Sequence, residues 1–82
     1  MVRGRLDIIA DILDTAKAGI KKTELMYKAR LSFKQVQYYS NFLTDCKLLC
    51  VSGNNGSVVY KTSDLGKEFR ERYGKLKELL KD

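Results

Sequence analysis

The sequence predicts an α+β, mainly α domain in which three helices are followed by a β-hairpin and a further helix. Three patterns carry that expectation. Apolar residues recur at helical spacing over residues 5–18 and again over 33–45. Two β-branched apolar runs flank Gly53-Asn54-Asn55-Gly56, a stretch whose residues tolerate the positive φ angles of a tight turn. Residues 64–80 are rich in Lys, Arg and Glu around a narrow apolar seam.

The first helix, 5–18, repeats Leu6, Ile9, Ile12, Leu13 and Ala16 on one face, widened by Ile8, and Gly19 stops it. Asp7, Asp11 and Asp14 gather on the opposite side, where no convergent partner is evident, and are expected to be a solvated face. A short extended segment, 20–22, leads to Thr23 as N-cap of a second helix over 24–29, with Leu25 inward, Met26 beside it and Ala29 allowing close helix approach. After a turn at 30–32, Ser32 and Gln35 form a capping-box pattern that marks the start of the third helix, 33–45. Two short helices joined in this way outline a helix-turn-helix.

The third helix has two faces. Successive 100° steps put Val36, Tyr39, Ser40 and Leu43 on one side, with Cys46 at its edge. Lys34, Gln37, Tyr38, Asn41 and Asp45 lie on the other, with Gln35 on the flank and Phe33 and Phe42 between. Amides and a phenol both donate and accept hydrogen bonds, which suits base edges. The alternative is a polar face with no ligand. Lys47, where glycine often ends a helix, is expected in a left-handed conformation. Strands over 48–52 and 57–62 then form the hairpin, and a hairpin after a helix-turn-helix is a wing. The architecture expected is thus a winged helix-turn-helix domain over 1–62 followed by a C-terminal coiled-coil dimerisation helix over 63–82.

Thr62 or Ser63 caps this last helix. Phe69, Tyr73, Leu76 and Leu80 repeat at four, three and four residues, a coiled-coil seam. Only its first turns are expected to reach the domain's own core, so the rest calls for a second copy of the chain. Folding back along its own domain is the alternative. Gly66 and Gly74 weaken the helix in isolation, which makes packing more necessary.

Composition narrows the function classes. A chain of 82 residues is one small domain, marginal on its own, so dimerisation would help it. Its net charge of +6 suits a polyanion. With no histidine and two cysteines, Cys46 and Cys50, a structural zinc site is not expected; reduced, partly buried thiols are. No nucleophile stands with a base, so no enzyme, metal, cofactor or small-molecule substrate is expected. Without an apolar run of membrane-spanning length or a secretory leader, no membrane association is expected.

From Thr23, Leu25, Met26, Ala29, Leu31 and Ser32, through the aromatic-rich helix with Tyr39, to Thr62 or Ser63, Gly66, Phe69 and Tyr73, the chain resembles a known family. These are small archaeal winged helix-turn-helix DNA-binding proteins that dimerise through a C-terminal antiparallel coiled coil. Lys47, in place of a helix-ending glycine, and Ser40, in place of a packing leucine, depart from the pattern.

The resemblance implies a homodimeric double-stranded DNA-binding protein, a transcriptional regulator or an architectural, chromatin-associated one. It is expected in the cytoplasm with the nucleoid, or inside a host cell if virus-encoded. Gln35, Gln37, Tyr38 and Asn41 are the candidates for base edges. Arg3, Lys28, Arg30, Lys34 and Lys61 are those for phosphate, with Ser32 at the helix start and Asn54 and Asn55 at the wing tip. Phe69, Tyr73, Leu76 and Leu80 are the dimer seam. The competing expectation is a winged-helix protein-interaction module using Phe33, Tyr38 and Phe42 without DNA.

Overall fold

The computed structural model describes residues 4–54 and 57–80, with the backbone alone described at Asn54. In chain order the elements are α1 (Arg5–Thr15), β1 (Ile20–Lys21), α2 (Lys22–Lys28), α3 (Phe33–Asp45), β2 (Leu49–Asn54), β3 (Ser57–Thr62) and α4 (Asp64–Leu79). The strands form one antiparallel sheet in the order β1-β3-β2. The hairpin register runs from Leu49 opposite Thr62 to Asn54 opposite Ser57, and Ile20 lies opposite Tyr60. Ile12, Leu13, Leu25, Val36, Leu43 and Leu49 are the centre of the core, each essentially inaccessible to solvent.

α1 ends three residues earlier than its periodicity predicts, and the cause is tertiary. The Leu13 carbonyl, which a continuing helix would give to the Lys17 amide, accepts the Thr62 hydroxyl at 2.6 Å. The Thr62 amide donates to the Ala16 carbonyl at 3.0 Å, and Gly19, at φ 99°, turns the chain into β1. α2 starts two residues earlier than expected, with Lys21 in the N-cap position and no side-chain cap; Thr23 lies inside the helix. α2 and α3 close in the same way. Arg30 (φ 56°) and Lys47 (φ 64°) adopt left-handed backbone. The next amides, Leu31 and Leu48, reach back to the carbonyls of Met26 and Leu43 at 3.0 and 2.9 Å. A cation at a helix C-terminus offsets part of the cost of that conformation.

Ser63 caps α4: its hydroxyl accepts the Gly66 amide at 3.0 Å and donates to the Lys47 carbonyl at 2.7 Å. Gly66 is buried where a β-carbon would stand 2.2 Å from the Leu48 carbonyl oxygen and 2.7 Å from Thr62 Cγ2. This glycine is a packing requirement, whatever it costs in helix propensity.

The structure corrects further expectations. Asp7 and Asp14 are not merely solvated. Arg70 Nε donates to Asp14 at 2.9 Å, Lys77 Nζ donates to Asp7 at 3.0 Å, and the Tyr73 hydroxyl also donates to Asp7. α4 therefore lies along α1 well beyond its first turns, and Phe69 packs on the domain's own core. Cys46 and Cys50 are exposed, because Cys46 follows the last buried turn of α3 and Cys50 alternates outward from buried Leu49 on β2.

Gly66→Ala is expected to lower the unfolding free energy by about 2–3 kcal/mol at unchanged m-value in urea. A gain, as helix propensity alone would give, would mean that Leu48 yields freely. A second expectation concerns pH. The Tyr73 hydroxyl, the Lys77 ammonium and the Gly4 amide, in decreasing order, hold the Asp7 carboxyl down from 3.8 to about 2. A depressed carboxylate contributes stability that is complete above its unfolded-state value and is lost as pH falls through its folded-state value. Asp7→Asn should therefore destabilise the protein near neutrality and give a shallower loss of stability between about pH 4 and about pH 2. Parallel curves for variant and wild type would remove Asp7 from the acid response.

Candidate nucleic-acid interface

α3 is anchored on one side and open on the other. Val36, Tyr39, Ser40 and Leu43 are buried, as the helical spacing predicts, while Lys34, Gln35, Gln37, Tyr38 and Asn41 are exposed. The capping box at its start is formed: Ser32 Oγ accepts the Gln35 amide at 3.1 Å, and Gln35 Oε1 accepts the Ser32 amide at 3.0 Å. Ser32 thus sets the helix start, and the Gln35 side chain is curled back toward it.

Two cations from other elements reach this face. Lys22 Nζ donates to Gln37 Oε1 at 2.6 Å and stands 5.0 Å from the centre of the Phe33 ring. Arg5, at the first position of α1, donates to the Tyr38 hydroxyl, with its guanidinium carbon 5.5 Å from the Tyr38 ring centre and 5.2 Å from that of Phe42. The Tyr38 and Phe42 rings are nearly parallel, with centres 6.3 Å apart. The result is a continuous surface of amides, aromatic rings and cations. Phe33 is 66% exposed at its leading end, and half-buried Phe42 supports Tyr38 from behind. Aromatic faces hold cations in place by the charge distribution of the ring.

The remaining candidates are distributed less tightly. Lys28 and Arg30 border a groove with Asp11, Asp14 and Thr15, so carboxylates share their surroundings. Lys61 is exposed on β3 opposite Cys50. Arg3 and Asn55 lie outside the described residues, as does the Asn54 side chain. Toward the turn end of the hairpin, Lys21, Lys22 and Thr23 share a recess with Ser57 and Val58. Arg5, Lys21 and Lys22 were not among the residues the sequence singled out for this site. The adjacent lysines before the helix-turn-helix were a signal for two of them, but only folding brings Arg5 to a helix 33 positions away.

Of the seam residues, Phe69 and Tyr73 are half-buried against their own domain, whereas Leu76 and Leu80 are 51% and 73% exposed and Leu79 is 82% exposed. Among the described residues no group of three or more His, Cys, Asp or Glu side chains is arranged to hold a metal ion, and no helix is long and apolar enough to cross a membrane.

The sequence model of the winged helix-turn-helix family matches residues 2–81. Among solved structures, the chain is similar to Sso10a-2, a DNA-binding protein from Sulfolobus solfataricus. The TM-score is 0.82 at 27% identity, over 95% of this chain and 85% of that one. Human N-acetylserotonin methyltransferase, solved in complex with SAM, matches with a TM-score of 0.59 at 20% identity. That match covers 72% of this chain but 17% of the enzyme, and is a likeness of fold alone. A search of curated protein sequences returns no match.

Ser32→Ala is expected to cost about 1 kcal/mol in urea unfolding, because one helix-initiating amide loses its acceptor and Gln35 loses its fixed orientation. An unchanged midpoint would mean that the Arg30 turn alone sets where α3 begins.

Proposed function

The chain belongs to the winged helix-turn-helix family, and from that premise we propose that it binds double-stranded DNA by inserting α3 into the major groove. The observation that carries this reading is the composition of the outward face of α3. Amides and a phenol occupy it, Lys34 lies within it, and Arg5 and Lys22 reach it from outside, while the opposite face is buried. Docking a helix this way allows side chains to meet base edges while cations meet phosphate. The likeness to Sso10a-2, itself a DNA-binding protein, supports it.

In this reading Gln35, Gln37, Tyr38 and Asn41 face base edges. Lys34, Lys28, Arg30, Lys61 and Arg3 contact phosphate, and Asn54 and Asn55 follow the backbone from the wing. A homodimer supplies a second α3, with Leu76 and Leu80 meeting their counterparts and Phe69 and Tyr73 beneath them. The exposure of Leu76, Leu79 and Leu80 on a helix otherwise covered by charge supports that pairing. The protein then acts with the nucleoid, as a regulator if it enriches one sequence strongly and as an architectural protein if it does not. The exposed rings of Tyr27 and Phe33 favour one competing reading, a protein-interaction module on the same fold.

Titration against random duplex at several salt concentrations decides between the two. Lys34→Ala and Lys61→Ala are each expected to weaken binding to all sequences and to reduce the slope of log affinity against log salt by about 1. Binding unchanged in both variants would remove this surface from the interface. Sedimentation should give twice the chain mass for wild type and the single-chain mass for a Leu76→Glu, Leu80→Glu double variant that keeps its helical spectrum. A wild-type monomer at high protein concentration would exclude the seam.

A further inference from the structure

Glutamine and tyrosine side chains ordinarily offer both a donor and an acceptor, but three of those on α3 have their oxygen engaged from within the chain. A lysine ammonium is donor-only. The 2.6 Å bond from Lys22 Nζ therefore fixes the Gln37 amide, with Oε1 toward Lys22 and the NH2 group at the opposite corner. Gln35 Oε1 is turned to the Ser32 amide at 3.0 Å. Arginine is also donor-only, so its bond to the Tyr38 hydroxyl turns the phenolic hydrogen away from Arg5. What these side chains offer outward is N–H and O–H, and Lys34 adds further donors on the same exposed face.

The four bases differ in what they present to such a surface. In the major groove guanine shows two adjacent acceptors, N7 and O6; adenine pairs an acceptor with a donor, thymine sets a single acceptor, O4, beside a methyl group, and cytosine shows a donor. The bidentate contact that glutamine makes with adenine needs the amide oxygen to accept from N6. Here one lone pair of that oxygen is taken by Lys22, a cation that repels a second donor approaching the same atom, and the Phe33 ring, 5.0 Å away, holds Lys22. Arg5 is likewise seated against the rings of Tyr38 and Phe42. Exclusion of water as the helix enters the groove strengthens these bonds.

We infer that α3 carries a donor-polarised reading face that selects guanine in the major groove, with Lys22 and Arg5 as the positioning residues that set its polarity. The inference rests on the DNA-binding reading of this face and names the base it takes. Selection of bound sequences from a random duplex pool should enrich guanine. Replacing the enriched guanines by 7-deazaguanine, which keeps base pairing and removes the N7 acceptor, should weaken binding about tenfold or more. Lys22→Met frees the Gln37 oxygen and should shift one selected position from guanine toward adenine. Lys22→Arg, which keeps a donor, should retain guanine, and Gln37→Ala should lose preference at that position. Enrichment of adenine by the wild type, indifference to 7-deazaguanine, or an unchanged preference in Lys22→Met, with salt-sensitive duplex binding retained, would overturn the inference alone. Absence of duplex binding at low salt would overturn the DNA-binding reading along with it.

Discussion

The junction between β3 and α4 is the constraint on which the rest of the molecule depends. Within five residues it meets the ends of two other helices. Thr62 takes the Leu13 and Ala16 carbonyls that would otherwise extend α1. The Ser63 hydroxyl donates to the Lys47 carbonyl, its amide donates to that of Leu48, and its oxygen caps α4. Gly66 then lets α4 pass against the Leu48 carbonyl at a distance no other residue permits. These bonds satisfy carbonyls that a helix end leaves without partners, and buried polar groups without partners are costly. The orientation of the hairpin relative to α3 and the direction in which α4 leaves the domain both follow from this one knot.

That exit direction also sorts the charges. α4 runs along α1 and brings Arg70, Tyr73 and Lys77 onto Asp14 and Asp7. Two carboxylates are thereby engaged on the side of the domain that α4 covers. The cations that reach α3, Arg5 and Lys22, are matched instead with an amide, a phenol and aromatic rings. These partners orient a cation without cancelling its charge. A chain of net charge +6 therefore keeps positive charge beside α3. The i,i+4 pairs on α4, Arg72 with Glu68 and Lys75 with Glu71, are solvent-exposed and contribute little to stability. They cover the middle of that helix with charge, and Leu76, Leu79 and Leu80 stand exposed at its far end.

The same sorting bears on the reading face proposed for α3. An amide free in solvent samples both of its ends and discriminates poorly between an acceptor and a donor. An amide whose oxygen is already held has one end to offer, and less of its ordering remains to be done on contact with DNA. The groups that hold α3's side chains come from α1 and from the start of α2, so the orientation of those side chains depends on how these elements are packed.

By itself the sequence determined whatever depends on local spacing. The two faces of α3, the Ser32–Gln35 capping box and the left-handed Lys47 are each set by residues within a turn or two of one another, and each is where it was expected. The apolar repeat of α1 is buried at Ile9, Ile12, Leu13 and Ala16 but leaves Leu6 49% exposed, and β2 runs two residues further than its pattern predicts, to Asn54. The tertiary structure alone decided the contacts between residues far apart in the chain. Asp7 looks solvated until Tyr73 and Lys77, 66 and 70 positions later, are laid across it. Gly66 looks like a weak point in a helix until Leu48 is seen against it. Gln37 looks like an even-handed amide until Lys22 takes its oxygen. Periodicity reports which face of a helix is buried, because burial follows local pattern. It does not report what the exposed face meets, because that partner is chosen by the packing of every other element.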